Sequence, residues 1–375
     1  MTDSALQAPE FPSLDAIEAA LWPALMLLVF VITAVLVDLM VILAARFRLV
    51  DLPNRRSAHS LPTARGGGVA IVLLSFLASL VVIVRWPSLG SRVLLGLVLP
   101  SVVIAGVGLI DDIRPLRPLL RLVFQLVVAA GMTLVLGPLT EVSLPGREAM
   151  SLGVLGWPLT ILWIVGMINA FNFMDGSDGM AALAAVVVGV STAVLGFETR
   201  SLAVMLLAAF AAAAAGGFLV FNWPPARVFM GDVGSGYLGT MVAGLPLLFA
   251  PAERVTLFVP AILCLWPYVF DPFLSVLRRV WNRQNPLKPH REFLFHRLIR
   301  SGVSHRKTAV LYAGLSAAGG AIGLAMLNQQ IPAGMRAQLP WGIVVMAALL
   351  TLGVERRCSR VGLGLPAPSP SPAAR

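Results

Sequence analysis

Charge is scarce in this 375-residue chain: 12% of residues are charged, against 58% hydrophobic. A soluble globular domain carries roughly 25% charged residues, so a water-soluble fold is excluded. Cysteine is scarcer still. Cys264 lies in an apolar run and Cys358 in a basic stretch, without metal-type spacing, and neither is read as a ligand or a disulfide partner. Apolar–polar alternation is also missing from the long runs, which excludes a transmembrane β-barrel. No basic segment precedes the first apolar run, so no cleaved signal peptide is expected and that run is read as a retained span.

What is present is one long apolar run after another, each able to cross a hydrocarbon core of about 30 Å. Spans are expected at 21–45, 66–84, 91–110, 119–137, 154–170, 179–196, 201–221, 236–251, 255–276, 308–327 and 340–354. The fold class is therefore an all-α polytopic membrane protein of about 11 transmembrane helices. Of the 28 basic residues, only Arg85, Arg92, Arg147, Arg200, Arg254 and Arg336 fall in one set of loops; the rest fall in the other. By the positive-inside rule the N-terminus is outside and the C-terminus cytoplasmic. The net charge of +10 follows from this pattern, with added affinity for anionic lipid or substrate, and does not indicate nucleic acid.

The expected organisation is an extracytoplasmic segment at 1–20 and a single transmembrane domain at 21–354. Its cytoplasmic loops are 46–65, 111–118, 169–178, 222–235 and 277–307. A disordered cytoplasmic tail at 355–375 ends in the Pro/Ser/Ala-rich "GLGLPAPSPSPAAR". Turn residues and short alternation in 138–153 suggest a small external hairpin.

Five polar stretches all reach the cytoplasmic face: "DLPNRRSAHSLPTARGGG" (51–68), "DDIRPLRP" (111–118), "NAFNFMDGSDG" (169–179), "FNWPPARVFMGDVGSG" (221–236) and "NPLKPHREFLFHRLIRSGVSHRKT" (285–308). A carboxylate near hydrocarbon costs several kcal/mol unless it has a partner or a function. Asp111 and Asp112 close the third span. Neighbours in a helix point about 100° apart, so one can meet a metal while the other faces a phosphate or takes a proton. Asp175 and Asp178, three residues apart, share a face if helical. Helix capping explains Asp178 alone; it does not explain Asn169, Asn172 and Asp175 with it. Asp232 stands between Gly231 and Gly234, where side chain and backbone can both approach a cation or diphosphate.

Carboxylates without thiols suit a hard cation, and Mg2+ commonly bridges one or two carboxylates to substrate phosphates. Arg55, Arg56, Arg65 and the basic 278–307 loop suit anionic phosphate. Acids for a metal and bases for phosphate at a lipid interface point to phosphoryl chemistry on a lipid. All four histidines, His59, His290, His296 and His305, lie in these same loops.

Taken together, the stretches resemble the polyprenyl-phosphate N-acetylhexosamine-1-phosphate transferases. "DLPNRRSAHSLPTARGGG", "GLIDDIRPL", "NAFNFMDGSDGMAA", "VFMGDVGSGYLG" and "HREFLFHRLIRSGVSHRKT" follow the family's motif order over roughly residues 45–310. The resemblance implies attack by undecaprenyl phosphate on the β-phosphorus of a UDP-N-acetylsugar, with release of UMP, in the bacterial cytoplasmic (inner) membrane. It implies Asp232 and Asp175 as ligands of Mg2+, with Mn2+ as a substitute, and Asp111 and Asp112 beside the attacking phosphate. Asn169, Asn172, Asp175 and Asp178 would line the donor site, with Arg65, Gly67 and Arg291 at phosphates and His290 and His296 in the last catalytic motif. Family members can be homodimers.

The last motif departs from the family's His-Ile-His-His type: Phe293 and Phe295 replace two histidines, which ranks His290 and His296 below the aspartates. It also sets the chain closer to O-antigen and exopolysaccharide initiators than to the peptidoglycan translocase, the alternative reading. A secondary transporter would place its acids near the midplane, whereas here only Asp38 and Asp271 fall within spans. Asp271 is expected to pair with Arg278 or Arg279. The CDP-alcohol phosphotransferase signature fails at Ala181 and Ala182, where no Arg follows the Asp-Gly pair.

Overall fold

Alanine and glycine decide how closely the central helices pack. The computed structural model describes residues 16–47, 50–51, 63–145, 147–285 and 292–363. The expectations for His59, His290 and Arg291, for most of segment 1–20, and for 364–375 lie outside these residues. Along the chain run α1 (Ala16–Phe47), α2 (Gly68–Arg85), α3 (Gly90–Ile113, with a π turn at Leu94–Val98), α4 (Pro118–Leu136), α5 (Gly156–Met174) and α6 (Met180–Glu198). They are followed by α7 (Leu202–Asn222), α8 (Gly231–Gly244), α9 (Pro251–Trp281, broken by a 3-10 turn at Leu263–Leu265), α10 (Leu294–Arg300), α11 (His305–Leu327) and α12 (Trp341–Arg360). The protein is an all-α, multi-pass membrane protein.

Ten segments among the described residues are long and apolar enough to cross a membrane. The eleventh expected span, 236–251, corresponds to α8 and its 3-10 extension Leu245–Leu248, and it begins five residues earlier than expected. Glycine lowers its hydropathy, but every residue from Val233 to Gly244 is buried. α8 is the interior helix, packed on α3, α5 and α2, while α6 lies along α7 and both meet outer helices. Small residues let these backbones approach where lipid supplies no hydrophobic drive between helices.

The two ends of the bundle differ. At one end Arg254, buried to 3% exposure, donates to the carbonyls of Leu136, Gly137, Leu247 and Phe249. These carbonyls lie at or just past helix ends, where acceptors lack intrahelical partners. The expected hairpin lies there too: β3 (Glu141–Val142) pairs antiparallel with β4 (Met150–Ser151). The other end carries the acids. There β1 (Val50–Asp51) pairs with β2 (Thr63–Ala64), and the chain beyond β2 runs along the segment before α8. Gly67 and Gly68 donate to the carbonyls of Phe229 and Met230 at 3.1 and 3.0 Å.

Two expectations are corrected. The boundary of the disordered tail at 355 falls inside α12, whose last turns pack against α10. Asp271 pairs with neither Arg278 nor Arg279. Its carboxylate accepts from the backbone N–H groups of Leu294 and Phe295 and from Tyr312 Oη, while Arg278 meets Glu355 and Arg279 meets Glu292. Two consecutive donors at a helix start satisfy a buried carboxylate without a second desolvated ion.

A β-carbon at Gly108 would stand 2.3 Å from the Asp232 carbonyl oxygen, whereas one at Gly106 meets nothing within 4 Å. Gly108→Ala should therefore cost about 1–3 kcal/mol, as overpacking does. Thermal unfolding in detergent should show a clear loss for Gly108→Ala and none for Gly106→Ala.

Candidate active site

The acids that close α3 and open α8 hold each other in place. Asp112 Oδ1 accepts from the Asp232 N–H at 3.0 Å and Asp112 Oδ2 from the Val233 N–H at 3.1 Å. One carboxylate thus satisfies two of the orphan donors of α8. Gly231 precedes them with φ +76°, and a β-carbon there would sit 2.5 Å from Asp112 Oδ2. Glycine at 231 is thus required by both conformation and space.

Asp111 turns toward α4. It accepts from the Leu116 N–H and from Arg121 Nη1 at 2.6 Å; the same nitrogen reaches Asp232 Oδ2 at 2.9 Å. The second oxygen of Asp232 accepts from Asn172 Nδ2 at 2.7 Å, and Asn172 also reaches Ser235 Oγ at 3.3 Å. Asp175 follows the last residue of α5, and its carboxyl lies close enough to the Gly231 N–H to be influenced by it. Burial, reinforced by the charges of Asp232 and Asp112, holds its carboxyl well above the ordinary carboxylate range. Arg65 lies within electrostatic reach of Asp112.

Arg121, Asn172 and Asp232 line a small cleft of about 30 Å3 together with Gly108, Gln125 and Asn169. Asn169 donates to Gln125 Oε1 at 2.7 Å and so forms its wall. A larger cavity of about 700 Å3 lies at the opposite end, lined by Arg147, Glu198 and Arg336 among others. It holds a single carboxylate and none of the converging motifs.

Asp178 is placed differently from its neighbour. It accepts from the Ala226 N–H at 3.1 Å and ties the turn after α5 to the loop after α7. Asn222 completes this tie, accepting from the Gly179 N–H and donating to the Val228 carbonyl. His296 lies over the same turn, with Nε2 3.3 Å from where a β-carbon on Gly176 would be, and His305 Nδ1 is 3.0 Å from Ser177 Oγ. Phe295 is fully buried and stacks on Phe293, which packs against Phe173. Aromatic packing thus occupies the positions where the family pattern has histidines.

Arg121, Gln125, Asn222 and Ser235 were not singled out from sequence. Arg121 carried a signal: an arginine inside the first turn of an apolar span needs an acidic partner.

The chain has clear relatives among known proteins. Residues 94–250 match the domain described as glycosyl transferase family 4. A probable undecaprenyl-phosphate N-acetylglucosaminyl 1-phosphate transferase of Bacillus subtilis is 33% identical, over 72% of this chain and 75% of that protein. The chain belongs to glycosyl transferase family 4. A decaprenyl-phosphate N-acetylglucosaminephosphotransferase of Mycolicibacterium smegmatis is 29% identical over 72% of this chain and 73% of its own length. A phospho-N-acetylmuramoyl-pentapeptide-transferase of Halalkalibacterium halodurans is 33% identical over 60% and 73%. As a family 4 member the chain is a glycosyl-1-phosphate transferase, and its family match spans Asp111, Asp112, Asn172, Asp175 and Asp232.

Asp112→Asn replaces one acceptor oxygen with an amide that faces a backbone N–H. The start of α8 should loosen, with a stability loss of about 1–3 kcal/mol as for an unmade buried hydrogen bond. Hydrogen exchange should locate the loss at residues 231–236 rather than spread over the bundle.

Proposed function

We propose that this protein transfers an N-acetylhexosamine-1-phosphate from a UDP-sugar to undecaprenyl phosphate at the cytoplasmic face of the bacterial inner membrane. The product, a lipid-diphospho-sugar, would initiate O-antigen or exopolysaccharide synthesis. The observation that carries this reading is the meeting of Asp111, Asp112, Asn172, Asp175 and Asp232 around Arg121, from separate stretches of the sequence. The names of the relatives supply the polyprenyl acceptor, and the loop charges support the cytoplasmic assignment.

The donor set favours a hard cation. It is all oxygen, and the charge of Asp175 is opposed by two neighbouring carboxylates. Among the described residues no three Asp, Glu, His or Cys side chains gather closely enough to cage a metal. That suits Mg2+, which keeps several waters and takes one or two carboxylates together with substrate phosphates. Asp232 and Asp175 would hold it, with Mn2+ as a substitute. When bound it neutralises phosphate charge and orients the diphosphate.

An oxygen of the lipid phosphate attacks the β-phosphorus of the donor. The bond from that phosphorus to the bridging oxygen breaks, and UMP departs with the bond electrons. A phosphate with a second pKa near 6 is largely ionised at neutral pH, so no strong base is required. Asp112, with both oxygens on backbone N–H groups, holds Asp232 in position. Arg121, poised between Asp111 and Asp232, meets charge on the transferring phosphoryl group, where positioning and neutralisation do most of the work. Asn172, Asp175 and the turn to Asp178 line the donor's diphosphate. Asn169 shapes the cleft, while Arg65 and Gly67 of the first-loop motif serve the phosphates.

Membranes containing the protein, given undecaprenyl phosphate, Mg2+ and a panel of UDP-N-acetylsugars, should release UMP. Asp232→Asn should lower the rate by about a hundredfold or more, on the scale of losing a key electrostatic group. UMP release without lipid, or undiminished in Asp232→Asn, would overturn the reading. UDP-N-acetylmuramoyl-pentapeptide belongs in the panel as the donor of the peptidoglycan-type reaction.

Metal binding should also show in stability. A carboxyl raised by folding is cheapest when protonated, so the Asp175 site destabilises the fold as pH climbs above about 4, the ordinary carboxylate value. Mg2+ at a hundred times its dissociation constant adds about 2.7 kcal/mol. The gap in thermal stability between Mg2+ and EDTA should be wide at neutral pH and narrow at acid pH. An equal gap at both pH values would contradict the assignment.

A further inference from the structure

α10 is seven residues long, too short to hold its shape or direction unaided. Two acids from distant parts of the chain grip it. From α9, the fully buried Asp271 accepts from the Leu294 N–H at 2.6 Å and the Phe295 N–H at 3.1 Å, and Tyr312 Oη fixes the same carboxylate at 2.6 Å. From α12, Glu355 accepts both terminal nitrogens of Arg297, at 2.5 and 2.8 Å, and also Arg278 at 2.7 Å. Arg357 of the same helix donates to Ser301 Oγ, just past the end of α10, at 2.9 Å. Between the two grips stands His296, on the turn that begins with Asp175.

We propose that Asp271 and Glu355 are positioning residues for the transfer reaction, locking α10 so that His296 stays on the Asp175–Gly179 turn. Neither acid touches the cleft, and both act through α10. The bidentate Arg297–Glu355 pair fixes direction as well as distance. A displacement of about 1 Å at a reacting group can cost a hundredfold in rate. This inference rests on the transfer reading above and gives the last turns of α12 a part in it.

A double-mutant cycle tests it, using UMP release by the full-length protein in membranes. Glu355→Gln should lower kcat/KM about tenfold in the wild-type background and less than about twofold when His296 is already Ala, because groups acting through one another are not additive. Tyr312→Phe, which removes a donor to Asp271 without changing the core volume much, should behave in the same way. Equal factors in both backgrounds, or no effect in either, would overturn the proposal.

A second measurement does not depend on turnover. With His59, His290 and His305 replaced by Gln, the rate of diethylpyrocarbonate modification of His296 should rise severalfold in Glu355→Gln and Tyr312→Phe; an unchanged rate contradicts the proposal. An active wild type without coupling refutes the positioning role alone. A wild type that releases no UMP counts against the transfer reading, while the modification rates still decide the role of the grips.

Discussion

A carboxylate that accepts two consecutive backbone N–H groups at the start of a helix is the contact on which the rest of this structure turns. Asp112 does this for α8 and Asp271 for α10. In both cases an acid on one apolar helix is satisfied by donors that another helix must otherwise leave unpaired. Each contact settles two problems at the membrane boundary and fixes the direction of the second helix. Asp232 on α8 and His296 on α10 inherit that direction, so the site depends on helix termini more than on side-chain ion pairs.

The electrostatics are deliberately incomplete. Arg121 is shared between Asp111 and Asp232, and Asp175 lies within electrostatic reach of two further carboxylates, Asp232 and Asp112. Such clustering of like charge is costly without a cation and becomes favourable with one. The proposed Mg2+ would supply the positive charge that this cluster lacks. Glycine provides the space: at Gly108 and Gly231 any β-carbon would strike the backbone or carboxylate that builds the cleft.

Much of this was legible in the sequence, for identifiable reasons. Long apolar runs revealed the spans, because crossing hydrocarbon requires length and composition together. The 138–153 hairpin was visible in its turn residues. α8 was harder to delimit: its start at Gly231 falls in a glycine-rich stretch of modest hydropathy, and its stability comes from burial against α3 and α5. Pairing was least legible. Asp271 suggested an arginine one or two turns along its own helix, yet its partners lie more than twenty residues away on two other helices. Arg121 read as one more loop charge until the fold carried it to Asp232, and the end of α12 read as tail because Arg356, Arg357 and Arg360 hid the role of Glu355.

The proposed reaction is phosphoryl transfer, with the sugar carried across on its phosphate, rather than glycosyl transfer with loss of UDP. A donor labelled with 32P only at its β-phosphorus separates these directly. In membranes supplied with UDP-N-acetylglucosamine labelled in this way, or with whichever donor is most active, the label should move into the organic-soluble lipid fraction while the released UMP stays unlabelled. Label retained in released UDP would mean attack at the sugar carbon, and the arrangement of acids around Arg121 would need a different explanation.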